Sequence, residues 1–205
     1  MTPFPPGLVS AVVRLEVENA VYGGLCIGRT REGVLLLTGA IPGETVEVEK
    51  IEERKGSRHA VVSRVVTPSP DRIEPRCPVF GKCGGCHFQF IDYPRQLRIK
   101  QEAVIDCMKR IGKIDIDLDA PLSSRPWQYR KRALVKAGRE GTLGFFAAQS
   151  HEVVVFERCF LLAPELDEVI GRARSAGPAL EGGEHLMQSG EDPASVTACV
   201  RGAVA

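Results

Sequence analysis

The chain has 205 residues, 43% of them hydrophobic and 26% charged, a balance that fits a globular protein and excludes a disordered or fibrous one. The formal net charge of +1 names no partner by itself, and no apolar run reaches the roughly 20 residues of a membrane helix. MTPFPPGLVS lacks the basic start and apolar core of a signal peptide. A cytoplasmic protein with no membrane partner is therefore expected. Its seven cysteines then need a reason other than disulfides, because the cytoplasm is reducing.

Residues 1–9 form a Pro-rich tail expected to be disordered. From Ser10 to about Thr67 the pattern is β. Val13, Leu15 and Val17 alternate with Arg14, Glu16 and Glu18. Val34 to Leu37 is an apolar run. Val46 and Val48 alternate with Glu47 and Glu49, and Val61, Val62, Val65 and Val66 follow. Gly23-Gly24, Glu32-Gly33, Pro42-Gly43 and Lys55-Gly56 mark turns between them. Short strands at this spacing predict a small closed barrel. Thr67-Pro68-Ser69-Pro70 reads as a linker. Residues 75–92 are a Cys/Gly-rich loop. A helix is expected from about Pro94 to Ile111, with Asp92 as N-cap and Gly112 as stop. Its apolar face is read as Leu97, Val104, Met108 and Ile111. Strands are predicted at Tyr129–Ala137, Leu143–Phe146, Val153–Glu157 and Val196–Val200, and a helix at Pro164–Ala173. The last strand runs close to the chain end, which suggests an incomplete final domain.

Cys77, Cys83 and Cys86 are spaced C-x5-C-x2-C, and Cys159 lies far downstream. Thiolates are soft ligands, and a tetrahedral ion or a cluster needs four of them in a small space. Glycines 81, 84 and 85 permit the tight loop that gathers three. A distant fourth ties two segments together. Four protein ligands leave no open position, so the site reads as structural rather than catalytic. Spacing alone leaves zinc, an iron–sulfur cluster and four ordinary thiols open. Cys26, Cys107 and Cys199 sit in apolar patterns and read as small core residues.

At these residues the chain resembles the class I SAM-dependent RNA uracil-C5 methyltransferases. CPVFGKCGGCHFQFIDYPRQLRIKQEAV (77–104) is similar to their iron–sulfur motif. YRKRALVKA (129–137) and LGFF (143–146) resemble their basic strand motif and the segment after it. ERCFLL (157–162) resembles the segment carrying their fourth cluster cysteine. AVYGGLCIGR, GAIPGETVEVE and PSPDRIEPRC resemble their TRAM domain and the junction after it. The resemblance implies a mostly β chain with an α+β part: an OB-like TRAM barrel over 10–67, then a small α+β iron–sulfur domain from 75–92 and 120–205. It implies a 4Fe–4S cluster on Cys77, Cys83, Cys86 and Cys159. The helix region 93–115 would pack on a Rossmann-like SAM domain. That domain, with its Gly-rich loop, nucleophilic cysteine and carboxylate base, is not recognisable here. SAM would enter only through it, so the chain alone should be catalytically inactive.

Structured RNA is the expected partner, ribosomal more than transfer RNA by the resemblance. Arg125, Arg130, Lys131, Arg132, Lys136 and Arg139 occur within residues 125–139 with no acid among them. Such a basic strand end can grip phosphates, and Trp127 and Tyr129 offer stacking surface beside it. Lys55 and Arg58 stand in a second basic group late in the barrel. Phe88 and Phe90 are read as shielding the cluster from water; His87, His151 and His185 carry no assigned role. Three readings follow. One is a methyltransferase fragment or subunit that presents a flipped uridine to a SAM domain on a separate or absent chain. The second is a stand-alone RNA-binding module. The third is a zinc-stabilised interaction protein. Radical-SAM methylthiotransferases also join a TRAM domain to a cluster, but their C-x3-C-x2-C motif does not occur here.

Overall fold

The computed structural model describes residues 12–138, 142–175, 184–189 and 196–201. The tail at 1–9 and Arg139 lie outside these residues, as do the side chains of His185 and Cys199. The chain divides into two compact units. The first comprises 1–74 and 90–122, and the second 75–89 and 123–205.

The first unit holds strands β1 (Val13–Val21), β2 (Leu25–Thr30), β3 (Gly33–Thr38), β4 (Thr45–Arg54) and β5 (Ser57–Thr67). They close into a barrel of order β1-β2-β3-β5-β4. β4 pairs back on β1, and β3 runs parallel to β5. The expected turns fall between strands, except that Gly33 already opens β3, and β2 is added to the runs read from sequence. The core follows from period-two alternation: Leu15, Val17, Cys26, Leu35, Leu37, Val46 and Val48 are buried. The barrel is tightly filled at Gly28, where a Cβ would lie 2.4 Å from Leu15 Cδ1 and could enter only if that side chain moved.

Beyond the barrel, the Pro-rich linker is held by one buried carboxylate. Glu44 is 0% exposed. It accepts hydrogen bonds from the N–H groups of Ile41 at 2.9 Å and Ser69 at 3.1 Å. The Arg72 guanidinium donates to both of its oxygens, at 2.6 and 2.7 Å, and to Gly39 O at 2.8 Å. Arg72 also lies 4.7 Å above the Phe90 ring. Cys26 is a core residue, as expected. Burial, with Glu44 adding to it, pushes its thiol up to about 12.

Helix α1 (Tyr93–Cys107) begins at Asp92, whose carboxylate accepts from Arg95 N–H at 3.0 Å. It ends in a single π turn, Met108–Gly112. Its buried residue is Ile99, while Val104 and Ile111 are exposed. The apolar face read from sequence, expected to meet a SAM domain, is thus partly uncovered, and the covered row is a different one. It runs through Gln96, Ile99 and Ala103, and a four-residue apolar row does not reveal which side meets the barrel.

In the second unit, β6 (Arg132–Ala137), β7 (Leu143–Phe146), β8 (Val153–Val155), β9 (Glu184–Ser189) and β10 (Val196–Arg201) form one antiparallel sheet, order β10-β9-β6-β7-β8. Sequence reading misses β9, whose EHLMQS carries only two strongly apolar residues. Helix α2 (Pro164–Ser175) covers the sheet with Leu166 and Ile170, which pack with Ala133, Val135, Leu143, Phe156, Leu162 and Met187. Glu165 and Asp167 in its first turn and Arg172 and Arg174 in its last suit the helix dipole.

Gly144 of β7 lies against the backbone of β8. A Cβ there would stand 2.1 Å from Val154 O. Backbone cannot yield as a side-chain tip can. Gly144→Ala is expected to lose about 1–3 kcal/mol of stability, the range for overpacking. Urea unfolding of the variant checks this, and an unchanged midpoint would contradict the close approach.

Candidate metal centre: a hollow lined by four thiols

The cysteine loop, residues 75–89, is stitched to the end of β7. Cys83 forms an antiparallel bridge with Ala147, Gly84 N–H donates to Phe146 O at 2.9 Å, and Ala148 N–H donates to Lys82 O at 3.1 Å. The approach is tight at Gly84, where a Cβ would lie 3.1 Å from Phe146 O. Gly81 turns the loop at φ +85°, where side chains are strained.

Cys159 arrives from the other side of the sequence. It sits in the turn before α2, where Asp167 accepts its N–H at 2.9 Å. Leu162 N–H closes the turn on Cys159 O at 3.2 Å. The helix that covers the core therefore also fixes the fourth thiol.

Cys77, Cys83, Cys86 and Cys159 line one hollow with about 410 Å³ of space between atoms, part of it open to solvent. Val79, Phe80, Phe145, Phe156, Phe160 and Leu161 supply its apolar wall. Phe88 and Phe90 are not among its lining residues. Their place is taken by phenylalanines from β7 and from around Cys159, which no local pattern links to the loop. Among the described residues no group of three or more His, Cys, Asp or Glu stands ready to hold a single metal ion.

Donors face the sulfurs. Backbone N–H of Gly85 serves Cys83, those of Leu161 and Leu162 serve Cys159, and the Gln89 side chain serves Cys86. Burial nonetheless pushes all three thiols up, and the other cysteines push Cys83 and Cys86 further. Arg130 opposes this at all three. The donor set therefore fits a thiolate-bound inorganic group: soft ligands, N–H groups on sulfur, two lining arginines, Arg130 and Arg158, and an apolar wall.

The basic residues divide. Arg130 lines the hollow, with its N–H on Leu161 O at 2.8 Å and its carbonyl accepting from Ala163 N–H at 2.9 Å. Its basic sequence neighbours group it with RNA contacts, but the fold turns it toward the thiols. Lys136 is 9% exposed, its Nζ 4.7 Å from the Phe146 ring centroid, a position ill suited to a phosphate contact. Arg58 pairs with Glu32 and donates to Thr30 Oγ1 at 3.2 Å. Arg125, Lys131, Arg132 and Lys55 are exposed. Tyr129 is exposed. Trp127 meets Phe160 edge-on at 6.3 Å, and Arg76 lies 4.5 Å over the Phe160 ring. His87 is exposed, and His151 stands edge-on to Phe146 at 5.1 Å. Sequence reading misses Gln89 and Arg76. Each adjoins a motif cysteine or its loop, but neither residue type announces a role by itself.

No protein-family model matches the chain. It is 36% identical over 168 residues to an uncharacterized RNA methyltransferase of Halalkalibacterium halodurans, covering 80% of this chain and 37% of that protein. It is 35% identical over 184 residues to a 23S rRNA (uracil(1939)-C(5))-methyltransferase of Shewanella amazonensis, covering 87% of this chain and 42% of that one. In fold it resembles the Pyrococcus abyssi tRNA (uracil-54, C5)-methyltransferase crystallised with S-adenosyl-L-homocysteine. That match has a TM-score of 0.56 at 20% identity and covers 91% of this chain and 45% of that one. The homologues are thus RNA methyltransferases. More narrowly, the chain is a relative of the RNA uracil-C5 methyltransferases, and it spans about two fifths of the length of the curated relatives it matches. Among the described residues no helix is long and apolar enough to cross a membrane.

Proposed function

We propose that this chain is the RNA-binding and iron–sulfur portion of a cytoplasmic, SAM-dependent RNA (uracil-5-)-methyltransferase acting on ribosomal RNA. The observation that carries the reading is the meeting of four thiols from two distant segments around one hollow. Cys77, Cys83, Cys86 and Cys159 would hold a 4Fe–4S cluster, whose contribution is a cross-link between the loop and the start of α2. A role in the relatives' ribosomal substrate class is supported by the Shewanella amazonensis enzyme's name.

Around that cross-link the chain's own residues do the binding. The five-stranded barrel is the TRAM-like part and offers Lys55 at an exposed turn. Arg125, Lys131 and Arg132 are exposed near the start of β6, beside Tyr129. Cations there hold phosphates, and the aromatic surface suits an unstacked base. A SAM domain, on this polypeptide or another, would supply the methyl group. The exposed Val104 and Ile111 on and after α1 offer it an apolar contact.

Two measurements test the reading. Anaerobically purified protein is expected to be brown, with a broad visible band and about four irons per chain, the number in such a cluster. Colourless protein holding zinc would favour a zinc-stabilised interaction protein instead. For the RNA interface, Lys131→Ala with Arg132→Ala should weaken binding to structured RNA. The slope of log affinity against log salt should shrink by roughly 0.7–0.9 for each phosphate that the variant no longer neutralises. Identical affinity at low and high salt would remove both residues from the interface.

A further inference from the structure

We propose that Gln89 is a positioning residue for the iron–sulfur centre: its amide oxygen fixes Cys77, and its amide N–H on the Cys86 sulfur raises the centre's reduction potential. This rests on the iron–sulfur reading above.

Gln89 is 7% exposed, and a buried amide needs partners at both ends. Its Oε1 accepts from Cys77 N–H at 3.1 Å, and its Nε2 stands 3.2 Å from Cys86 Sγ. The orientation is not arbitrary. A backbone N–H can only donate, so the end facing Cys77 must be oxygen, and the end facing sulfur must be NH2. One side chain thus spans the first and last cysteines of the loop. It fixes the loop's curvature as well as one sulfur's surroundings.

Two of the other sulfurs take their donors from backbone: Gly85 at Cys83, Leu161 and Leu162 at Cys159. Those N–H groups cannot be removed by a side-chain substitution. Cys86 alone among these three takes its N–H from a side chain, so its hydrogen bond can be edited. Hydrogen bonds to sulfur are one of the terms that set such potentials. An N–H dipole stabilises the more negative, reduced state, and its loss moves the potential down. Outer-shell partners of this kind also govern how firmly a metal group is held.

The test uses the full chain with its iron–sulfur centre assembled anaerobically. Gln89→Glu keeps an acceptor for Cys77 N–H but replaces the donor at Cys86 by a carboxylate. Gln89→Leu removes both hydrogen bonds. A dithionite titration passes one electron to the centre, and no bond at residue 89 forms or breaks. The midpoint of Gln89→Glu is expected to fall by about 59 mV, a tenfold change for a one-electron couple. Gln89→Leu is expected to lose iron to a chelator several-fold faster than wild type. Should Gln89→Leu fail to fold, judged by Trp127 emission, Gln89→Glu decides. A folded Gln89→Glu chain that holds no iron also supports the proposal, because the donor at the Cys86 sulfur is then needed to hold the centre. Wild-type midpoint and iron-loss rate in Gln89→Glu would overturn it. Wild-type protein that takes up no iron, or takes zinc, fails the parent reading instead, and shows it before any variant is made.

Discussion

Cys159→Ser is expected to strip the chain of iron and to abolish the cooperative unfolding of the second unit, while the barrel keeps its own transition. The reason is geometric as much as chemical. Cys159 is the one thiol outside the loop, so its loss removes the link between residues 75–89 and the start of α2. Serine is a hard, weakly acidic replacement for a soft ligand, and metal binding to such a site is coupled to folding. The residue also packs against the core of that unit, and Asp167 holds its N–H. Iron content and Trp127 emission on heating read the effect. Trp127 is the only tryptophan and belongs to the second unit. Cys107→Ser, in the first unit, serves as the control and should keep its iron. A Cys159→Ser chain with full iron and a native transition would remove that residue from the centre.

Glu44→Ala should cost the first unit about 3–5 kcal/mol, the range for leaving one partner of a buried pair alone. Four donor groups converge on this carboxylate: two backbone N–H groups and two from Arg72. All lose their acceptor at once. The pair also anchors the linker, because Ser69 and Arg72 both reach it. Urea unfolding followed by far-UV circular dichroism measures the loss. Adding Arg72→Met should recover part of it, since removing both members of a buried pair is milder than removing one. A single variant as stable as wild type would show that the linker is held by other groups.

Local chemistry in the sequence is enough for four of the five barrel strands. Leu15, Val17, Val46 and Val48 alternate with charged residues, and Gly23-Gly24, Pro42-Gly43 and Lys55-Gly56 permit the backbone that the turns require. Asp92 and Pro94 likewise mark the start of α1, because capping depends on neighbours in the chain. These signals are short-range, so a linear reading detects them. The missed β9 has a weak apolar pattern and gains its place from pairing with β6 and β10.

The side-chain roles at the centre need distance information. Arg130 and Arg132 read alike in sequence, two positions apart on one predicted face. A bridge from Arg130 to Leu162 directs the first to the hollow, while the second stays exposed. Glu44 reads as one more acid in an acidic strand entry until Arg72, 28 residues on, closes over it. Ile99 is covered within the first unit while Val104 stays exposed, a division that periodicity alone does not make.

By itself, then, the sequence determined four of the five barrel strands, their turns, the start of α1 and the three-cysteine loop, since each depends on residues close together in the chain. Only the tertiary structure decided which residues surround those thiols, which cations remain exposed and which face of α1 is covered. Those depend on the meeting of segments far apart in sequence, and residue type alone does not encode which distant neighbour a side chain will meet.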